Sequence, residues 1–206
     1  MEIRFVEEQN LKIALFGASG FVGSHIANRL ASSGEHELIL CDLEDAKLRL
    51  SFENQPFPFE RVDISKDTER LNDIVSEADL VFDLAAFVHP AMFLQNPLAV
   101  VQLNLFDCLA VVNSCVHHKT RLIHFSTSEV YGKTGGRNAP FKEDETDLIL
   151  GPVKKQRWIY SCAKQLLDRI IFANGVEHGL NYSLIRPFKF VGPLMDRDLS
   201  ITRGFP

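Results

Sequence analysis

Short apolar runs alternate along the chain with longer segments of helical periodicity. Runs typical of buried strands occur at Lys12–Phe16, Glu37–Cys41, Phe59–Val62, Leu80–Leu84, Arg121–Ser126 and Asn181–Arg186. Apolar residues at helical spacing predict helices at Phe21–Ser32, Asp67–Ala78, Leu98–Val116 and Trp158–Asn174. Strands separated by helices indicate βαβ units, and continuous apolar runs indicate strands covered on both faces. The pattern therefore predicts an α/β fold with a doubly wound, mostly parallel sheet.

Two segments lack either pattern and are predicted to be loops. Ser51–Pro58 contains two prolines, and Gly132–Pro152 is rich in glycine, acidic residues and proline. A loop of about 20 residues in a compact domain is usually functional, so we expect the second one to lie near a site.

Composition narrows the classes of function. The chain has 206 residues, of which 46% are hydrophobic and 24% charged, and its net charge is -5. This acidic balance disfavours nucleic acid as a partner. We expect no membrane span, because no apolar stretch approaches the roughly 20 residues that a membrane helix needs. The N-terminal segment MEIRFVEEQN has acidic residues where a signal peptide needs a basic region and an apolar run, so we expect no signal peptide.

The cysteines indicate a reducing environment. Cys41, Cys108, Cys115 and Cys162 form no CxxC pair. A disulfide framework or a metal site is therefore not expected, and the chain fits a cytoplasmic location.

A glycine-rich turn follows the first predicted strand. Gly17, Gly20 and Gly23 of GASGFVG stand between that strand and the next helix. Gly17 permits a tight turn, Gly20 leaves room for a pyrophosphate at backbone N–H groups, and Gly23 lets the helix pack closely. The context predicts a dinucleotide site, with a plain tight turn as the alternative.

Acidic residues follow the next two strands. A carboxylate at Asp42 can bind ribose hydroxyls and repel a 2′-phosphate, so it favours NAD over NADP. The alternative for Asp42 is a helix cap. Asp63 is placed to contact the adenine edge, and its alternative is a cap near Ser65.

A tyrosine and a lysine share one face of the last predicted helix. Tyr160 and Lys164 stand at i and i+4. An ammonium near the phenol lowers the phenol's pKa and makes it a usable base. Ser/Thr hydroxyls at Ser126–Ser128 end the fifth strand, where an α/β sheet binds its ligands, and can hold a substrate hydroxyl against Tyr160. The alternatives are a pair of surface side chains for Tyr160 and Lys164, and a Ser/Thr-rich turn for Ser126–Ser128.

Together these motifs resemble the extended short-chain dehydrogenase/reductase superfamily, which has a Rossmann fold. The resemblance covers the chain from Leu11 onward and rests on GASGFVG, Asp42, DLAA, STSEVYG, YSCAK and RPFKFVGP. STSEVYG followed by GPVKKQRWIYSCAKQLLDR is similar to the NAD-dependent UDP-glucuronate decarboxylases of the polymyxin-resistance type, and to the UDP-apiose/UDP-xylose synthases. It implies an N-terminal extension (1–10), an NAD-binding domain with the catalytic residues (11–192) and the start of a truncated substrate-binding region (193–206).

The resemblance also implies a reaction. NAD⁺ takes hydride from C4 of UDP-glucuronate while Tyr160 takes the hydroxyl proton. The C4 ketone is β to the carboxylate, so CO₂ leaves through an enolate and the product is UDP-xylose or a UDP-4-keto pentose. UDP-glucuronate 4-epimerase and UDP-apiose synthase are alternative activities. Outside enzymes, the alternative is a truncated NAD-binding interaction protein.

Site residues follow by the same resemblance. The implied catalytic residues are Thr127, Ser128, Glu129, Tyr160 and Lys164. The implied cofactor contacts are Gly17, Ser19, Gly20, Phe21, Val22, Asp42, Asp63, Ile64, Leu84, Ala85, Ala86, Tyr160, Lys164, Pro187 and Phe188. The implied substrate contacts are Val88, Phe93, Thr127, Ser128, Arg157 and Lys189. A solvated turn carboxylate is the alternative for Glu129, and a solvated basic run is the alternative for Arg157.

Some positions depart from the families that the chain resembles. Lys189 stands where they place an Asn against the substrate diphosphate, and Phe93 where they place a Tyr. Val88 and Ser128 stand where UDP-apiose synthase has two active-site cysteines, which argues against ring-contracting thiol chemistry. The resemblance places the apolar helices Leu98–Val116 and Trp158–Asn174 at a two-fold interface, so we expect a homodimer.

Overall fold

The computed structural model describes residues 10–53, 55–133 and 140–195, which form a parallel sheet flanked by helices. The strands are β1 (Lys12–Phe16), β2 (Glu37–Asp42), β3 (Phe59–Arg61), β4 (Leu80–Asp83), β5 (Arg121–Phe125) and β6 (Tyr182–Ile185). The helices are α1 (Phe21–Ser33), α2 (Ala46–Ser51), α3 (Thr68–Glu77), α4 (Pro90–Gln95), α5 (Pro97–Val101), α6 (Cys108–His118) and α7 (Trp158–His178). A π-helical segment (Gln102–Asp107) joins α5 to α6, and a 3-10 turn (Ser128–Tyr131) follows β5.

The strand order is β3-β2-β1-β4-β5-β6, and every neighbouring pair is parallel. This is the order of a doubly wound Rossmann sheet, so the predicted fold class is confirmed. The order reverses between β1 and β4. At such a switch point the chain leaves the two strands in opposite directions, and a crevice opens at their carboxyl ends.

Both faces of the sheet are covered, as the continuous apolar runs predicted. Along β1, Ala14 and Phe16 face a core formed with α3, α6 and α7, whereas Ile13 and Leu15 face a core formed with α1. All four side chains are buried. Burying an aliphatic or aromatic side chain of this size contributes about 1.5–3 kcal/mol, so the central strands anchor the site that lies at their ends.

Short helices that the periodicity did not predict lie beside the sheet. Helix α2 occupies Ala46–Ser51, and α4 occupies Pro90–Gln95. Each is only 6 residues long, too short to show a clear period. Pro97 starts α5 one residue earlier than predicted, because proline suits the first position of a helix. Helix α7 runs past the predicted Asn174 to His178, where Gly179 caps it with a φ of 71°.

The predicted helix Leu98–Val116 is observed as a continuous helical segment, Pro97–His118. It has 22 residues and a mean hydropathy of 1.6 over its most apolar window, so it has the length and composition of a membrane-crossing helix. The expectation that no such stretch exists is therefore wrong. A core helix also meets these criteria, and Val111, Val112 and Cys115 are indeed buried against the sheet.

Some predictions fall on residues outside the described ranges. Most of the N-terminal extension and of the predicted region 193–206 lies there, as does the middle of the Gly132–Pro152 loop. Within the described part of that loop, Gly132 and Ile149 form an isolated β-bridge. The bridge fixes the two ends of the loop beside the end of β5.

Candidate active site

A cleft of about 410 Å³ opens at the switch point of the sheet. It lies at the carboxyl ends of β1, β4, β5 and β6. Its walls are formed by Gly17, Gly20, Phe21, Val22, Gly23, Leu84, Ala86, Val88, Phe125, Ser126, Thr127, Glu129, Tyr160, Pro187, Phe188, Lys189, Phe190 and Met195. Elements distant in the chain therefore meet at one edge of the sheet.

The glycine turn has the geometry that its sequence predicts. Gly17 has a φ of 82°, and a Cβ at this position would stand 2.7 Å from the backbone nitrogen of Ala85. A Cβ on Gly23 would stand 2.2 Å from the carbonyl oxygen of Gly17. These two glycines hold the turn against α1 and the segment after β4. A Cβ on Gly20 would meet only the Gly17 oxygen, at 3.2 Å, so its backbone faces open space in the cleft.

The start of α1 fits a phosphate group. Gly20 caps the helix without a side-chain hydrogen bond, and the first turn holds no acidic residue. Its first backbone N–H groups and the positive end of the helix dipole are thus free to face an anion. Nearby, the Asp42 carboxylate accepts a 2.8 Å hydrogen bond from the backbone N–H of Ser19. Burial raises the pKa of Asp42. The turn, the helix and Asp42 together fit a dinucleotide.

Asp63 and Ile64 are less open than their predicted roles require. The Asp63 carboxylate accepts from the backbone N–H and the hydroxyl of Ser65, and it pairs with Lys66 at 2.7 Å. These hydrogen bonds lower the pKa of Asp63 to about 2. The side chain of Ile64 is buried in the core. The structure thus favours the local turn for Asp63, and an adenine contact there stays a prediction.

Tyr160 and Lys164 occupy one face of α7, but they are not arranged as expected. The Lys164 ammonium donates to the carbonyl oxygen of Phe125 at 2.9 Å. Burial raises the pKa of Tyr160 to about 12, against a smaller opposing effect of a side-chain hydrogen bond with Thr127. The net shift of this pKa is therefore opposite to the one expected from a neighbouring ammonium. Loss of hydration at the phenol outweighs every favourable interaction of the phenolate.

Phe93 lies behind Tyr160 and is not among the residues that line the cleft. Its ring stacks on that of Tyr160, with 4.6 Å between centroids, and only 1% of Phe93 is exposed. The described structure gives Phe93 a packing contact instead of an open face, and a contact between Phe93 and substrate stays a prediction. Its role in the structure is to support Tyr160.

Glu129 is a half-buried carboxylate at the wall of the cleft. Its Oε1 accepts a 3.2 Å hydrogen bond from Arg157, whereas Oε2 is buried and has no partner among the residues that the structure describes. Burial raises the pKa of Glu129, although the charge of Arg157 opposes the rise. This direction is the one that an acid/base role requires. A solvated turn carboxylate is not what the structure shows.

The remaining predicted residues divide into two groups. Leu84, Ala86, Val88, Pro187, Phe188 and Lys189 line the cleft, as do the predicted residues of the glycine turn other than Ser19. The residues of the other group do not line the cleft: Ser19, Asp42, Ala85, Ser128, Arg157 and Lys164. Ser128 is fixed by its backbone N–H, which donates to the Pro187 carbonyl at 3.0 Å and ties the end of β5 to the end of β6.

Residues that sequence reasoning missed support the cleft. The fully buried Asn104, within the π-helical segment, accepts from the N–H of Phe87 at 2.9 Å and donates to its carbonyl at 3.0 Å. It thereby holds the segment that carries Ala86 and Val88. Phe190 and Met195 extend the wall after β6. The sequence signal for Asn104 is a polar residue within an apolar helical run, because a polar side chain that is buried there needs a hydrogen-bond partner.

The switch-point cleft, the glycine turn and the tyrosine–lysine face of α7 are the features on which the resemblance to the extended short-chain dehydrogenase/reductase superfamily rests. The chain belongs to the NAD dependent epimerase/dehydratase family, whose pattern it matches over residues 13–205. This membership confirms the predicted superfamily and NAD as the cofactor of the family.

Two plant relatives are UDP-sugar synthases. The chain is 41% identical over 205 residues to a UDP-D-apiose/UDP-D-xylose synthase of Oryza sativa subsp. japonica, covering 90% of this chain and 51% of that protein. It is 39% identical to UDP-D-apiose/UDP-D-xylose synthase 1 of Arabidopsis thaliana, covering 91% and 53%. The chain thus spans about half the length of these relatives. The crystal structure of the PbgP3 protein from Burkholderia pseudomallei has a TM-score of 0.84 at 34% identity and covers 91% of this chain and 62% of that one.

Proposed function

We propose that the full-length gene product uses NAD to oxidise C4 of UDP-glucuronate and then decarboxylates the 4-keto sugar to a UDP-pentose. The observation that carries this proposal is the convergence of Tyr160 and Glu129 on one cleft beside the glycine turn. The reaction needs a base at the C4 hydroxyl and a second acid/base where CO₂ leaves. The two side chains supply these groups from different elements, α7 and the 3-10 turn.

Each residue has a separate task in this proposal. NAD⁺ bound along the glycine turn supplies the hydride acceptor. Thr127 orients the sugar hydroxyl, and Tyr160 accepts its proton. Lys164 holds positive charge below the floor of the cleft through its bond to Phe125, which favours the phenolate when the proton moves. Burial raises the pKa of Glu129, the direction that suits a carboxyl returning a proton at C5.

The relatives support a pentose product. The two plant relatives are UDP-D-apiose/UDP-D-xylose synthases, and both of these sugars are UDP-pentoses. In this chain Val88 lines the cleft and Ser128 does not, and neither position offers the thiol that the resemblance links to ring contraction. We therefore favour UDP-xylose or the 4-keto pentose over UDP-apiose. Exposed Lys189 supplies a positive charge for the diphosphate in place of an amide.

The test is a product analysis. The full-length protein is incubated with NAD⁺ and UDP-glucuronate labelled at the carboxyl carbon, and the products are followed by mass spectrometry. Labelled CO₂ with a UDP-pentose is the expected result. A UDP-hexuronate isomer without CO₂ would identify a 4-epimerase instead. If NAD binds but neither product forms, the chain is part of a non-catalytic NAD-binding protein.

We also propose that the protein is a homodimer in the cytoplasm, formed through α7 and the helical segment Pro97–His118. Large apolar side chains are exposed on these elements: Leu98, Phe106, Leu166, Phe172 and Val176. Helices α5 and α7 pack beside each other, so the side chains can form one self-complementary surface. Sedimentation velocity is expected to give a dimer, and Phe172→Glu is expected to give a monomer. A monomeric wild type at micromolar concentration would overturn the interface.

A further inference from the structure

One face of α7 carries a third buried polar residue beyond the tyrosine–lysine pair. Tyr160, Lys164 and Asp168 follow one another at intervals of four residues, and each is at most 5% exposed. They meet consecutive residues at the end of β5. Tyr160 bonds Thr127, Lys164 bonds the carbonyl of Phe125, and Asp168 accepts a 2.9 Å bond from the hydroxyl of Ser126. The helix is thus fixed to β5 residue by residue.

Asp168 also reaches the end of β6. Its Oδ2, which accepts from Ser126, accepts a second bond of 3.2 Å from Nε of Arg186. Arg186 lies over the ring of Tyr131 and donates to the carbonyl of Glu143 at 3.2 Å. The other oxygen, Oδ1, is buried without a partner in the described structure. Asp168 therefore joins the end of β5, the end of β6 and the loop before α7.

These two strand ends form one wall of the cleft. Ser126 and Thr127 line it from β5, and Pro187, which follows Arg186, lines it from β6. A shift of either end moves Thr127 relative to the phenol of Tyr160. Small displacements of this kind reduce the rate of a positioned reaction strongly, whereas they change the binding of a large ligand little.

We propose that Asp168 is a positioning residue for the oxidation step, which it serves by holding Ser126 and Arg186 so that Thr127 and Tyr160 stay in register. This inference rests on the proposed function. A purely structural carboxylate would affect folding alone, whereas Asp168 affects the reacting phenol in two ways. It fixes the hydrogen-bond partner of the phenol, and it places a negative charge on the same helix face.

The charge of Asp168 gives the proposal a readout that needs no substrate. Several groups face Tyr160: Thr127 by its hydrogen bond, Glu129 and Cys108 from neighbouring elements, and Lys164 and Asp168 from α7. The negative charge of Asp168 raises the pKa of Tyr160. Asp168→Asn removes this charge while keeping the shape of the side chain, so it is expected to lower the pKa of Tyr160.

The experiment combines a tyrosine titration with single-turnover kinetics in the full-length protein. Tyrosine labelled with ¹³C in the ring is followed by NMR against pH, and Tyr160→Phe assigns the signal among the 3 tyrosines of the chain. Asp168→Asn is expected to shift the titration of Tyr160 to lower pH and to slow NADH formation about tenfold or more, with an unchanged Kd for NAD. Asp168→Glu is expected to restore part of the rate. Asp73→Asn, an exposed carboxylate on α3, is the matched control.

A second variant keeps the inference testable if Asp168→Asn does not fold. Ser126→Ala retains the Asp168–Arg186 bond and is expected to slow NADH formation. Its effect should add only partly to that of Asp168→Asn, because the two variants share the Ser126–Asp168 hydrogen bond. An unshifted Tyr160 titration in Asp168→Asn, or a normal rate in Ser126→Ala, overturns the positioning role. If the wild type forms no NADH from UDP-glucuronate, the proposed function fails, while the titration still decides whether Asp168 acts on Tyr160.

Discussion

The ring of Phe93 lies almost parallel to that of Tyr160, with 8° between their planes and 4.6 Å between their centroids. Phe93 is buried together with Val100 and Tyr160 in a small apolar cluster beside the main core. This contact fixes the direction of the phenol and also removes water from it, which raises the pKa of Tyr160 to about 12. Phe93 thus positions the phenol of Tyr160 and at the same time makes ionisation of this phenol less favourable. A cation that enters the cleft would favour the phenolate.

Phe93→Ala is expected to lower the free energy of unfolding by about 3–5 kcal/mol, because it leaves a cavity beneath Tyr160. Urea denaturation measures the change. Leu50→Ala on α2 is the control, since Leu50 is 62% exposed and its loss should cost less than about 0.5 kcal/mol. Equal stability losses in the two variants would show that the stack does not hold Tyr160.

Stability at alkaline pH depends on Tyr160. Its pKa in the folded protein is raised from 10.0 to about 12, so the folded state resists ionisation. This contribution is fully present below pH 10 and is lost as the pH rises through 12. Between these pH values the wild type should lose about 2–3 kcal/mol more than Tyr160→Phe in denaturant titrations. Parallel curves for the two proteins would contradict the burial of the phenol.

The preference for NAD depends on Asp42 in this account. Asp42→Ala removes the carboxylate beside Ser19 and should narrow the ratio of the NADP and NAD dissociation constants by about tenfold, or about 1.4 kcal/mol. Titration calorimetry measures both constants. Asp45→Ala is the control: it removes a nearby carboxylate that pairs with Arg49, and it should leave the ratio of the two dissociation constants unchanged. A wild type that binds both cofactors equally would refute the role of Asp42.

Arg157 sets the proton affinity of Glu129. The charge of Arg157 opposes the effect of burial, so Arg157→Gln should raise the pKa of Glu129 further. The pH–rate limb that reports ionisation of this carboxyl should then move to higher pH. Lys154→Gln, in the same basic run, is the control and should not move the limb. If Arg157→Gln moves it to lower pH, Glu129 is not the group that titrates.

The parts of the fold that repeat a simple pattern were predictable. The central strands β1 and β4 are apolar runs. The spacing of Gly17 and Gly23 predicts the tight turn that the structure shows. The six-residue helices α2 and α4 were not predictable, because they are too short to show a period and are stabilised by packing.

For the site, sequence identified which residues meet but not how they interact. The spacing of Tyr160 and Lys164 placed both on one face, yet the direction of the ammonium depends on the carbonyl of Phe125, which no side-chain pattern reveals. Burial of the phenol comes from Phe93, a residue far away in the sequence. The support from Asn104 depends on a π-helical segment whose register no heptad or 3.6-residue pattern indicates.

The central claim is that Tyr160 and Glu129 serve different steps in one cleft. A single-turnover reaction of the full-length protein with NAD⁺ and carboxyl-labelled UDP-glucuronate follows NADH by absorbance and CO₂ by its label. Tyr160→Phe should abolish NADH formation while leaving the Kd for NAD within about twofold, since it removes only the proton acceptor. Glu129→Gln should slow CO₂ release more than NADH formation. Normal NADH formation by Tyr160→Phe, or normal CO₂ release by Glu129→Gln, would contradict the account.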